Sequence, residues 1–173
     1  MAKSDWTITG SGGYIITEDG GSKRCQITND KLLLWNDRSD LANSEIVYDF
    51  RVNSTSTNCR GGPVLRSDGT INNCYRVHTY GPRNHYFQKV VNGVVTTLGT
   101  VSSPRDYDVY VKTRFRIDNY QLSIEEYVDG NWILLGSLDD TSQALSSGYA
   151  GVFGAGIGGY VCYFDNIEIR ERV

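Results

Sequence analysis

Side chains along this chain alternate between apolar and polar with a period of two, and that pattern constrains the fold more than any other feature. Ile46, Tyr48, Phe50 and Val52 alternate with Val47, Asp49 and Arg51. Val109, Val111, Thr113, Phe115 and Ile117 alternate with Tyr110, Lys112, Arg114, Arg116 and Asp118. Near the C-terminus Val161, Tyr163, Ile167 and Ile169 share a parity, with Asp165 between them. Successive side chains of a strand point to opposite faces, so each set predicts a half-buried strand with one wet side. Helical signal is confined to 37–44 and 139–146, each predicted to form a turn or two, the second with Asp139 or Asp140 as its N-cap.

Turn residues separate the strands. Asp68-Gly69, Asn92-Gly93 and Asp129-Gly130 lie between strand-like runs and tolerate the positive φ of two-residue hairpins. Asp118-Asn119 can do the same. The predicted antiparallel neighbours are 59–67 with 72–80, 85–92 with 94–98, 107–117 with 120–128, and 120–128 with 131–136. Earlier strands are expected at 13–17, 22–28 and 31–35. About twelve short strands in a single domain over 1–173 predict an all-β fold, a two-sheet antiparallel β-sandwich. The 19 glycines and 12 tyrosines, against 3 prolines and 1 methionine, suit turns and strands rather than a helical bundle.

Charge excludes some partners. Seventeen basic and 20 acidic residues give a net charge of −3 with no long run of either sign, which argues against a nucleic-acid partner. No apolar stretch approaches ~18 residues, so no membrane span is predicted. The opening Met-Ala-Lys-Ser-Asp-Trp has no apolar run of signal length, so the expectation is a chain kept inside the cell or one whose leader has been removed. Cys25, Cys59, Cys74 and Cys162 show no C-x-x-C spacing, and with two histidines they argue against structural zinc. Cys59 and Cys74 flank a predicted hairpin and could meet across it. Cys25 and Cys162 could meet if the first and last strands pair. Four small buried thiols are the favoured reading.

The stretch from Tyr107 to Ile169 carries a family pattern. A long alternating strand leads to Leu122-Ser123-Ile124, then Tyr127-Val128-Asp129-Gly130-Asn131-Trp132. After a polar stretch come Ser147-Gly148-Tyr149-Ala150-Gly151-Val152-Phe153-Gly154 and Tyr163-Phe164-Asp165-Asn166-Ile167-Glu168-Ile169. This resembles the concanavalin A-like lectin/glucanase superfamily, especially its laminin-G-like branch. Tyr86 to Leu98, Trp6 and the strand Glu45 to Val52 also sit where that family would put them. The resemblance implies a jelly roll of two curved sheets, a fold that hosts lectins, hydrolases, adhesion modules and virion proteins.

Hydrolases of this superfamily resemble one another in a Glu-x-Asp-x-x-Glu run, which brings two carboxylates to the ~5 Å spacing of a retaining mechanism. The run is missing here. Glu45 and Asp49 share a parity without further acids, Glu125 and Glu126 face opposite ways, and Asp106 and Asp108 have no third partner. Solvated faces are the expected explanation for all of them. No Gly-x-Ser-x-Gly elbow accompanies His78 and His85, so a non-enzymatic role is expected.

The segment 60–88 is the most binding-like. Arg76, His78 and Tyr80 share one strand face, and Tyr75, Val77 and Thr79 share the other, core-like face. The candidate ligand-binding set is Arg66, Arg76, His78, Tyr80, Tyr86 and Gln88, predicted to lie on an exposed sheet. Rings can stack on sugar C–H faces, while Arg, His and Gln bond hydroxyls; the same residues suit a protein interface. Asp165 is the candidate metal ligand. In the β-glucanases that this resemblance brings in, an acid at a similar place holds a structural calcium, and here carbonyls of an N-terminal loop would have to complete it. A carboxylate accepting backbone N–H bonds at a bulge is the favoured alternative. Trp6, Trp35 and Trp132 are expected in core or rim packing, and 154–159 as a loop rather than a phosphate site.

Two functions are expected to compete. The first is a virion structural component, a capsid decoration or tail protein contacting virion proteins or glycans, with self-association as an option. The second is a free carbohydrate-binding domain of the lectin type, with a glycoside hydrolase a distant third. Location follows function: the virion surface if viral, otherwise secreted or extracellular.

Overall fold

The computed structural model describes residues 6–9, 14–19, 22–27, 31–35, 37–52, 59–80, 84–104, 109–156 and 161–172. For 6–9, 14–19, 22–24, 31, 59, 80, 155 and 156 it describes the backbone alone. These residues form strands and no helix. In order they are β1 (Trp6–Thr9), β2 (Tyr14–Asp19), β3 (Ser22–Ile27), β4 (Lys31–Trp35), β5 (Ser44–Val52), β6 (Cys59–Ser67) and β7 (Cys74–Tyr80). Then come β8 (Asn84–Val91), β9 (Val94–Ser102), β10 (Val111–Asp118), β11 (Gln121–Val128), β12 (Asn131–Asp139), β13 (Tyr149–Gly156) and β14 (Cys162–Glu171). They build two seven-stranded sheets: sheet A, ordered β1-β4-β13-β6-β7-β8-β9, and sheet B, ordered β12-β11-β10-β5-β14-β3-β2. Every named strand pair is antiparallel.

All four predicted hairpins form. Asn92 (φ 51°) with Gly93 (φ 79°), and Asp129 (φ 49°) with Gly130 (φ 85°), put two successive residues in the left-handed region. That geometry matches the right-handed twist of the flanking strands. The β6–β7 connection is longer than a two-residue turn. Asp68 organises it by accepting from the Thr70 N–H (2.9 Å) and from the Asn73 amide (2.7 Å).

Alternation places the core between the sheets. Ile46, Tyr48, Phe50 and Val52 of β5 meet Val111, Phe115 and Ile117 of β10 and Phe164 of β14, all buried. The Phe50 and Phe164 ring centroids lie 5.1 Å apart, and Tyr48 sits 6.2 and 6.0 Å from them. Such ring pairs add about 0.5–1.5 kcal/mol each beyond the area they bury. Sheet A supplies Leu33, Leu65, Tyr75, Val77, Phe87 and Val152.

Several expectations need correction. Neither predicted helical stretch forms. Leu41 and Gly148 exchange backbone hydrogen bonds (3.1 and 3.2 Å), Asp139 remains in β12 opposite Gln121, and Gln143 turns left-handed at φ 52°. Val109 precedes β10 and is exposed rather than inward-facing. In β14 the pairing with β5 shifts between Asp165 and Glu168, with Asn166 at φ 47°. That bulge reverses the parity, so Cys162 and Phe164 point inward before it and Ile167 and Ile169 pack on the core after it. Neither proposed disulfide is present, because Cys25 and Cys74 are both thiols. β3 does pair with β14, but the register sets Cys25 opposite Phe164, while Cys162 donates its thiol to the Arg60 carbonyl at 3.1 Å.

Candidate functional site

The core-like parity of β7 holds: Tyr75, Val77 and Thr79 are fully buried between the sheets. Arg76 and His78 therefore project from the outer face of sheet A. On β8, Gln88 lies opposite Arg76 and Tyr86 opposite His78. The backbone register puts Tyr80 further along the same strand; its side chain lies outside the described residues.

This face is not the open, solvated one expected for His78 and Gln88, which are only 5% and 6% exposed. Sheet A carries a second apolar cluster on its outer side: Leu32, Leu34, Val64, Cys74, Val90 and Phe153. The polar groups are set into it. The Arg76 Nε–H donates to Gln88 Oε1 at 2.8 Å, and His78 Nδ1 lies 3.2 Å from the same oxygen. An amide oxygen only accepts, so the imidazole proton sits on Nδ1 and makes Nε2 the acceptor end of the ring. The Arg76 guanidinium lies 5.0 Å from the Phe153 ring centroid, and His78 meets that ring edge-on at 5.3 Å. β6 runs between β13 and β7 and carries Gly62 opposite Phe153. A Cβ on Gly62 would stand 2.1 Å from the Val77 carbonyl oxygen, so this close approach requires glycine.

Burial, reinforced by the positive charges of Arg76 and Arg60, pushes the His78 pKa down to about 3 against the opposing pull of Gln88. The ring is therefore neutral near pH 7. The result is a buried amide, neutral imidazole and aromatic ring with a half-buried guanidinium set over them.

Arg66 does not join this patch. It is 2% exposed and in left-handed backbone (φ 53°). Its guanidinium donates to the carbonyls of Ala42 (2.7 Å), Leu145 (2.8 Å) and Asn119, and it stacks 4.9 Å from the Tyr120 ring centroid. It clasps three loops at one end of the sandwich. Phe153 is a site residue that the sequence reading missed. Leu32-Leu33-Leu34 and Val152-Phe153 place apolar residues at both parities, the available signal that these strands are buried on both faces.

The acids considered for hydrolysis are engaged elsewhere. Glu45 pairs with Arg116 and Arg170 (3.2 Å each), and Glu125 with Arg114 (2.7 Å) and Arg116 (2.8 Å). Glu126 departs from the expectation of a solvated face. It is fully buried between the sheets, 3.4 Å from His85 Nε2, while His85 Nδ1 lies 2.9 Å from the Thr79 hydroxyl. Asp106 and Asp108 lie outside the described residues. Trp132 rests on the outer face of sheet B beneath the Arg114 guanidinium (4.2 Å) and beside Tyr127 (5.2 Å).

Asp165 lies at the β14 bulge, opposite Asp49, and the Asn166 amide donates to Asp49 at 2.6 Å. Its side chain is half-buried on the outer face of sheet B rather than pointing inward. Among the described residues no three His, Cys, Asp or Glu side chains converge to hold an ion. The N-terminal loop whose carbonyls calcium would call on lies outside those residues.

Two seven-stranded antiparallel sheets packed face to face give this chain the concanavalin A-like lectin/glucanase fold. Solved structures similar to it include the following three. The carbohydrate-binding module CBM66 from Bacillus subtilis superposes with a TM-score of 0.75 at 19% identity, covering 96% of each chain. The exoplasmic/lumenal domain of VIP36 in its Ca2+/Man3GlcNAc-bound form gives 0.66 at 14% identity, over 98% of this chain and 84% of that one. The GH43 protein BlXynB from Bacillus licheniformis gives 0.73 at 13% identity, where 99% of this chain matches 38% of the longer protein. No protein-family model matches the sequence, and comparison with curated proteins gives no significant match.

Proposed function

We infer that this domain binds a glycan on the outer face of sheet A and leaves it chemically unchanged. The observation that carries the reading is the Arg76–Gln88–His78 arrangement set against Phe153. Each polar side chain is held by another, so little rotamer entropy remains to be lost when a ligand arrives. Arg76, half-buried at the surface of the patch, supplies a guanidinium held in place by Gln88, and His78 fixes that amide from the other side. The half-buried Tyr86 ring, opposite His78 in the register, offers C–H stacking surface at the same place.

The neighbours named above favour the lectin-type reading over the virion role. A carbohydrate-binding module and a lumenal domain with a bound mannose glycan both match over most of their length. The test is a glycan array probed with labelled protein, followed by calorimetry on any glycan retained. Saturable binding without release of reducing sugar is expected. Failure to retain any glycan, or turnover of one, contradicts the reading.

A further inference from the structure

A cavity of about 510 Å3 opens at the end of the sandwich where Arg66 clasps the loops. Its walls are the β10–β11 turn, 118–121, and the chain leaving β12, 139–141 with Gln143. Three acids line it, yet two are already paired. Asp140 accepts from the Tyr75 hydroxyl (2.5 Å) and from Lys89 Nζ (3.0 Å), and Asp118 pairs with Arg172 at 3.3 Å. Asp139, Gln121, Thr141 and Gln143 remain at the rim. All four are exposed, and no side-chain hydrogen bond or ion pair engages them among the described residues. Tyr120, whose ring stacks against Arg66, also lines it.

The walls are fixed from beneath. Arg66 ties the Asn119 and Leu145 carbonyls together. The Asp140 N–H donates to the Tyr120 carbonyl at 2.9 Å, and the Gln143 N–H to the Asp140 carbonyl at 3.2 Å. The rim thus offers one unpaired carboxylate, two amides and a hydroxyl, with Tyr120 in the same lining. That chemistry suits a near-neutral ligand with neighbouring hydroxyls and a C–H face. A cation is a poor fit, since no three acidic or imidazole side chains converge there. The volume lies within the usual range for small-ligand sites, about 300–1,000 Å3.

We propose that this cavity is a second saccharide subsite, taking a neutral sugar ring with Asp139, Gln121 and Gln143 on its hydroxyls. The inference rests on the glycan reading of the domain and adds a site lined by residues separate from those of the sheet A patch.

The test is amide chemical-shift mapping of 15N-labelled protein titrated in turn with mannobiose, xylobiose and cellobiose. Wild type is expected to shift at Tyr120, Thr141 and Gln143 as well as near His78 and Gln88. The double variant Asp139→Ala, Gln143→Gly removes rim groups, and glycine accepts the left-handed backbone at 143. It should weaken the loop-end response about tenfold and leave the sheet A response intact. Shifts confined to the sheet A patch overturn the second subsite and leave the main reading standing. Shifts confined to the loop end do the reverse. No shift at either place with any of these sugars overturns both.

Discussion

His78 is expected to leave a signature in acid stability. Burial, with Arg76 and Arg60 adding positive charge, lowers its pKa from 6.5 to about 3. Between those pH values the unfolded chain binds a proton that the folded chain refuses, so acid favours unfolding. The stabilisation is complete above pH 6.5 and falls as pH drops towards 3. Over the full window it amounts to about 5 kcal/mol, at about 1.4 kcal/mol per pH unit. Asp140 acts in a lower window. Its burial raises the pKa, but hydrogen bonds from Tyr75, Lys89 and Ser142 outweigh that and hold it at about 2, so its stabilisation is lost only as pH falls below 3.8. The perturbation is His78→Gln, which cannot titrate and keeps a polar side chain. The assay is urea unfolding at pH 7 and about pH 4.5. Wild type should lose about 3 kcal/mol more than the variant over that interval. His85 is common to both proteins and drops out of the difference. Equal losses would refute the account of a buried, neutral His78.

Other perturbations test the frame around the site. Arg66→Met removes three bonds to loop carbonyls and should cost about 3 kcal/mol in urea unfolding; an unchanged midpoint contradicts the clasp. Glu126→Ala removes the carboxylate facing His85 Nε2 between the sheets and should cost about 1–3 kcal/mol, while replacing both residues with Leu should recover much of that; equal loss in both variants argues against a coupled pair. Burial pushes the Cys25 thiol to about 11 and the Cys74 thiol to about 12, so a thiol reagent at pH 8 should label them only after unfolding; prompt native labelling contradicts their placement.

Much of the fold was legible because local and global signals agree. The Asn92-Gly93 and Asp129-Gly130 turns and the alternation through β5, β10 and β11 appear where the sequence puts them. Legibility ended where a tertiary partner decides. The bulge at Asp165–Glu168 turns one apparent parity into two, and no period-two count reveals it. Asp140 reads as a helix cap in isolation, but Tyr75 and Lys89, distant in sequence, claim its carboxylate. Arg66 looks like a surface binder because three backbone carbonyls carry no sequence signature. Arg76, His78 and Gln88 were found by parity and residue type, whereas their burial depends on Phe153 and the Leu32–Leu34 strand across the sheet.

Calorimetric titration of the strongest array glycan into wild type and into Arg76→Ala, Gln88→Ala tests the central claim most directly. With folding verified by circular dichroism, the double variant should bind at least about tenfold more weakly, as expected for loss of two preorganised hydrogen-bonding groups. Unchanged affinity would contradict a glycan site on the outer face of sheet A.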